Sequence, residues 1–299
     1  MLINNANMDA MFRGFNTKYR DSYDKTPSHW DKLAMKMPSS GRDETYAWLG
    51  LFPSLREWIG PRVVKRLSAS SFTILNRKYE TTVEVARDAI SDDQYAIFGP
   101  MFQEMGLASK THPDELVFAV LAGGFTTNGY DGVPFFGTTH PVINAAGATV
   151  NVSNFGGGAG TPWFLMDASR AVRPVIFQER EPYELQALTN ANTDHFVFST
   201  DHFLYGVRAR VAAGLGLWQL AFASRQPLTA ATYAAARAAM QALTADGGRP
   251  LGVRPTLLVV PPSLEEAGLT ILNTQNGASG ATNVWQATAE LIVTPFLTV

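Results

Sequence analysis

The chain contains no cysteine, so neither disulfides nor thiolate metal sites can contribute, any staple must be made of packing, and the redox compartment is unreadable. Charge is scarce too. Of the 299 residues, 17% are Asp, Glu, Lys or Arg, against about a quarter in an ordinary soluble domain. A surface that poor in charge points to burial between subunits slightly more than to the large core of an enzyme. The net charge of -2 argues against tight sequestration of nucleic acid, which needs clustered Lys and Arg. No run of about 18 apolar residues occurs, and Met1 to Arg13 lacks a basic segment leading into an apolar one. The expectation is a chain made in the cytosol and not bound to membrane.

What is present suggests one elaborated domain or two modest ones. Residues 1 to about 60 are broken by Pro27, Pro38, Gly41, Pro53, Gly60 and Pro61 and read as an extended arm with short helices. Its aromatics (Phe12, Phe15, Tyr19, Tyr23, Trp30, Tyr46, Trp48, Phe52 and Trp58) are too many to leave in water, so the arm must lie on an apolar surface, its own or a neighbour's. From Arg62 to Ile90 apolar and polar residues alternate, which predicts a long hairpin turning at Asn76, Arg77 and Lys78. Charges of both signs line it: Arg62, Lys65, Arg66, Arg77, Lys78, Glu80, Glu84, Arg87 and Asp88. Such a ribbon is marginal alone, so it either packs on its own domain or is held by another chain. Ser91 and Gln94 have capping-box spacing, which predicts a helix start. Pro100 and the Thr111, Pro113, Asp114 group then predict an interrupted helical spine stopped at Gly123 and Gly124.

After a Gly-, Phe- and Asn-rich loop over residues 125 to 160, strands are expected at Trp163 to Met166, Val172 to Phe177, His195 to Ser199 and Leu204 to Val211. An amphipathic helix follows, capped by Thr229 and running to Leu243, then a buried strand at Thr256 to Val260. A capping box at Ser263 and Glu266 opens a short helix to Leu272, and a last strand runs from Ala287 to Val293.

Chemistry is hard to find. The repeated Asp194, His195 and Asp201, His202 pairs superficially offer ligands or acid/base groups, but their spacing suits turn and strand-end residues better. Asp131 and His140 bracket a second candidate, yet no third ligand lies near. A turn-forming Asp131-Gly132 and a hydrogen-bonded His140 before Pro141 fit better than a metal site. The Gly156 to Gly160 run is not followed by Lys and Ser or Thr, so it is no P-loop, and no Gly-x-Ser-x-Gly elbow occurs. No catalytic residue, cofactor or metal is expected.

Blocks along almost the whole chain resemble the Mu-like major head subunit family, gpT. They include Asn76 to Glu80, Asp92 to Gln94, His112 to Leu116, and the loop of Tyr130, Asp131, Gly132, Phe135, Phe136, His140 and Pro141. Trp163 to Asp167, Pro174 to Gln178, Tyr205 to Val207, Gly216 to Gln219, Arg254 to Ser263 and Thr288 to Pro295 agree in the same order. The resemblance implies an α+β fold of the Hong Kong 97 capsid type. Its parts would be an N-terminal arm (1–61), an E-loop ribbon (62–90), a peripheral domain with the spine helix (91–215) and an axial domain (216–299). It further implies a major capsid protein that assembles in the bacterial host cytoplasm, as pentamers and hexamers, into an icosahedral virion shell. That shell would enclose double-stranded DNA without sequence-specific contacts. Scaffold, protease, portal and decoration proteins would be its partners, and the ribbon residues would touch adjacent subunits. The rivals are an encapsulin-like bacterial nanocompartment shell and a soluble metal-dependent hydrolase using Asp131, His140, His195 or His202. Compared with the usual order of that fold, the long strands and the final helix-strand-helix-strand unit look exchanged. A circular permutation would do this, and it predicts the C-terminal strand directly beside the strand starting at Trp163.

Overall fold

The computed structural model describes residues 3–50, 72–92, 97–190, 194–276, 280 and 282–297. The first half holds α1 (Asn5–Lys25), α2 (Trp30–Leu33), β1 (Ala34–Pro38), β2 (Asp43–Tyr46), β3 (Phe72–Leu75), β4 (Arg77–Ala86), α3 (Arg87–Ser91), α4 (Gly99–Ala122), β5 (His140–Ile143) and β6 (Thr149–Val152). Then come β7 (Phe155–Gly158), β8 (Trp163–Met166), β9 (Val175–Leu188), α5 (His195–Thr200), β10 (His202–Leu215), β11 (Ala221–Arg225) and α6 (Ala230–Gln241). The chain continues through β12 (Thr244–Ala245), β13 (Arg249–Pro250), β14 (Leu257–Val260), α7 (Glu265–Leu272) and β15 (Glu290–Val293).

Two sheets carry the fold. The first has the order β1-β9-β10-β4, with β9 and β10 as long antiparallel strands and β4 on an edge. The spine α4 lies on this sheet and buries Phe102, Met105, Val117, Phe118 and Leu121. It is one continuous helix, contrary to the expected interruption, and Pro113 sits inside it. Pro113 removes one backbone donor, but burial on both sides holds the helix together. Asp114 starts no helix of its own; its carboxylate accepts the His29 and Trp30 amides and so caps α2.

Where the arm was expected to hold short helices, it opens with one of 21 residues. Met8, Met11, Phe15 and Tyr19 are spaced for one helical face, and α1 buries that face on α4 of its own subunit. Phe15 stacks on Phe102 at 4.1 Å, and Tyr205 meets both rings edge-on at 5.3 Å. Gly106 permits the approach, since a Cβ there would come within 2.3 Å of the Tyr19 carbonyl.

The second sheet has the order β15-β14-β8-β11-β7. Its centre, β8 (Trp-Phe-Leu-Met) and β14 (Leu-Leu-Val-Val), is entirely buried, as continuous apolar strands should be. Helix α6 packs on β11 with Tyr233, Ala236 and Met240, and Thr229 with Thr232 forms its capping box. The box expected at Ser263 is instead a short 3-10 turn over Pro262–Leu264, and α7 starts at Glu265 without a side-chain cap. This sheet takes β7 and β8 from before residue 215 and the rest from after it.

Three further expectations are corrected. Ser91 ends α3 rather than starting a helix, and its hydroxyl donates to the Asp88 carbonyl; Gln94 lies outside the described residues. His195 to Ser199 is helix, because the Asp194 carboxylate accepts the Phe196 and Val197 amides and outweighs the local β-propensity. The C-terminal strand β15 shares a sheet with β8 but is not beside it. It pairs in parallel with β14 across the α7 crossover, so β14 lies between them, and Val175 to Phe177 belong to the other sheet. The strand arrangement therefore lacks the contact that a permutation required.

Candidate functional site

The expected hairpin over Arg62 to Ile90 is replaced, among the described residues, by two strand pairings. β2 pairs antiparallel with β3, Tyr46 opposite Phe72 and Asp43 opposite Leu75, and residues 47–71 connect the two strands. Arg62, Lys65 and Arg66 fall on that stretch, outside the described residues. No turn forms at Asn76, Arg77 and Lys78. Instead Asn76 is the single residue between β3 and β4, and β4 joins its own subunit's sheet by pairing with β10 from Arg77 to Ala86. Alternation alone cannot tell a hairpin from one strand that changes partners, because both have period two.

Asn76 ties the β3–β4 junction to the 39–42 segment and to β9. Its backbone amide donates to the Arg42 carbonyl at 3.0 Å, and its side-chain amide donates to Ser39 Oγ at 2.7 Å and the Gly41 carbonyl at 3.1 Å. Its Oδ1 accepts from Gln178 at 2.8 Å, and Gln178 in turn accepts the buried Tyr46 hydroxyl at 2.8 Å. Burial pushes the Tyr46 hydroxyl up to about 12. Ser39 donates onward to Glu44, whose Oε1 also accepts the Ser40 and Gly41 amides at 2.8 and 3.1 Å. Those backbone hydrogen bonds hold the Glu44 carboxyl below its ordinary range.

The ribbon charges on β4 are exposed at Arg77, Lys78, Glu80 and Glu84. Arg208 and Arg210 on the neighbouring strand pair with Glu181 at 2.8 and 3.2 Å. Arg87 opens α3 and pairs with Asp201 at 3.2 Å.

The 130–141 loop joins α4 to the second sheet. Phe135 and Phe136 are buried in the core, while Pro141 faces outward on β5. Asp131 Oδ1 accepts the Val133 amide at 3.3 Å and Gly132 takes a φ of 80°, so the Asp-Gly turn is there. His140 is fully buried, with Nδ1 2.6 Å from Asp131 Oδ2 and Nε2 3.2 Å from Asn154 Oδ1. Its ring lies on the Trp218 indole at 4.0 Å and 13°. Tyr130, pushed up by burial, accepts from Gln219 at 2.6 Å. Asn154 and Trp218 were invisible as partners in the sequence, since neither belongs to a recognisable spacing with His140. The structure thus unites Asp131 with His140 but supplies an amide and an indole where a metal would need further ligands. Among the described residues no three His, Asp or Glu side chains gather in a way that could hold a metal ion.

His195 and His202 are placed apart from that loop. His195 is the exposed first residue of α5, and His202 opens β10 with Nδ1 2.7 Å from the Thr200 carbonyl. The repeated Asp-His pair is the two ends of one short helix, with Asp194 as its N-cap and Asp201, at φ 55°, as its C-cap.

The sequence model of the Mu-like prophage major head subunit gpT family matches residues 8–297. The chain is 40% identical to the major capsid protein of Escherichia phage Mu, across 99% of this chain and all of that protein. It is 40% identical to the Mu-like prophage FluMu major head subunit of Haemophilus influenzae, across 88% of this chain and 87% of that one. Among solved structures, a procapsid subunit of bacteriophage JBD30 superposes with a TM-score of 0.85 at 39% identity, covering 98% of this chain and all of that one. A JBD30 capsid subunit gives 0.77 at 30% identity, with both chains fully covered.

Proposed function

The chain belongs to the Mu-like prophage major head subunit gpT family, and from that premise we propose how its parts build a shell. It is a phage major capsid protein of the Hong Kong 97 type, α+β in class, and its place is the virion. The family is one of structural head subunits, which displaces the nanocompartment and hydrolase readings.

In our reading the first sheet with α4 and α1 is the peripheral domain and the second sheet with α6 and α7 is the axial domain. The ribbon issuing from β2 and β3 reaches an adjacent subunit, with Arg62, Lys65 and Arg66 on its outer part and the charges of β4 at its base. The shell forms from pentamers and hexamers in the host cytoplasm around double-stranded DNA, held without base-specific contacts. Scaffold, protease and portal proteins act with it. Decoration is a further partner class, since the JBD30 capsid occurs decorated with minor capsid protein trimers.

The observation that carries this reading is the end-to-end superposition on a procapsid subunit, 98% of this chain on the whole of that one. The deciding experiment is negative-stain microscopy of the purified chain. Closed polyhedra are expected, and a monodisperse monomer at all concentrations would refute the reading.

A further inference from the structure

His140 sits where two chain crossings between the sheets meet. One crossing runs from α4 through the 123–139 loop into β5, β6 and β7; the other runs from β10 through Leu217 to Leu220 into β11. Asn154 lies on the first and Trp218 on the second, and His140 touches both.

The proton count of the ring follows from its partners. Asn154 Nδ2 lies 2.8, 3.3 and 3.2 Å from the carbonyls of Phe135, Trp218 and Ala221, which can only accept, so that atom is the NH2 group. The other amide atom, which takes the Gly137 N–H at 2.9 Å, is therefore the oxygen. His140 Nε2 faces that oxygen and must donate. Nδ1 faces the Asp131 carboxylate, whose second oxygen accepts from Val133, and must donate as well. A ring that donates from both nitrogens is an imidazolium, and this one lies flat on an indole face, which attracts a cation.

We propose that His140 is an imidazolium in the folded subunit and that its two N–H donors latch together the two chain crossings that join the sheets. A neutral imidazole could satisfy only one of the two acceptors and would turn a lone pair toward the other, inside the protein where water cannot compensate. The titratable groups around the latch are Asp131 in contact, Tyr130 beside it, and Asp246, which accepts the Ile143 amide at the far end of β5. Both Asp131 and Asp246 favour a cation.

The test is magic-angle NMR of the full chain in assembled form, labelled with 15N-histidine, at about pH 8. Among the five histidines, one is expected to show two protonated ring nitrogens, and that signal should vanish in His140→Gln. If His140→Gln does not fold, a through-space contact between the cationic ring and the Trp218 indole makes the same assignment in the native chain. Uniformly neutral rings, or a cationic ring without contact to Trp218, would overturn the proposal.

Discussion

Glu44 shows how much one carboxylate can organise. It accepts three hydrogen bonds from the Ser39 to Gly41 turn, from its place on β2. Because its pKa is depressed in the fold, its contribution is present above the ordinary carboxylate range and is lost as pH falls through its own lowered value. Thermal unfolding of Glu44→Gln and the native chain should therefore differ near neutrality and draw together as pH falls below the ordinary carboxylate range; an undiminished difference in strong acid would show that the carboxylate charge is not what matters. His195 and His202 are the contrary case. Both lie at element ends on or near the surface, so changing both to Gln should shift stability by less than about 0.5 kcal/mol in chemical denaturation. The histidines looked alike in the sequence, and only their partners separate the buried His140 from these two.

At the scale of elements, α1 and the ribbon test different halves of the design. The aromatics of the arm called for an apolar surface, and for Phe12, Phe15, Tyr19 and Tyr23 the cluster built on α4 of the same subunit provides it, while Phe52 and Trp58 lie outside the described residues. Phe15→Ala removes the ring that stacks on Phe102 and should cost about 3 to 5 kcal/mol, read from urea unfolding of the subunit. A cost under about 1 kcal/mol would mean that α1 is held elsewhere. For residues 51–71, which fall between β2 and β3, the expectation is a role in assembly. Replacing residues 51–71 with a short Gly/Ser linker should leave a folded chain that fails to close shells in the microscope, whereas normal particles would show that the ribbon is no clamp. Extending the deletion into β4 would remove ten residues paired with β10, so a loss of assembly there would report misfolding.

Across the whole molecule, the family and its shell-forming role were legible in the sequence because blocks such as His112 to Leu116 and Tyr130 to Pro141 persist in order along the chain. So were the elements set by local chemistry. The Thr229 cap, the Pro100 start of α4 and the apolar runs of β8 and β14 all form as their residues direct. What tertiary structure alone decided is which strand pairs with which. Period two is the same whether Arg77 to Ala86 turns back on β3 or joins β10, and the choice is made by Asn76 bonding to Ser39, Gly41 and Gln178 from distant segments. The same holds for β15, which an apparent swap of blocks placed beside β8 but which the α7 crossover sets against β14. It holds also for His140, whose partners Asn154 and Trp218 stand 14 and 78 residues further along the chain. Local patterns record the conformation a residue prefers, whereas partners far apart in sequence are brought together by burial, and that leaves no periodic trace in the chain.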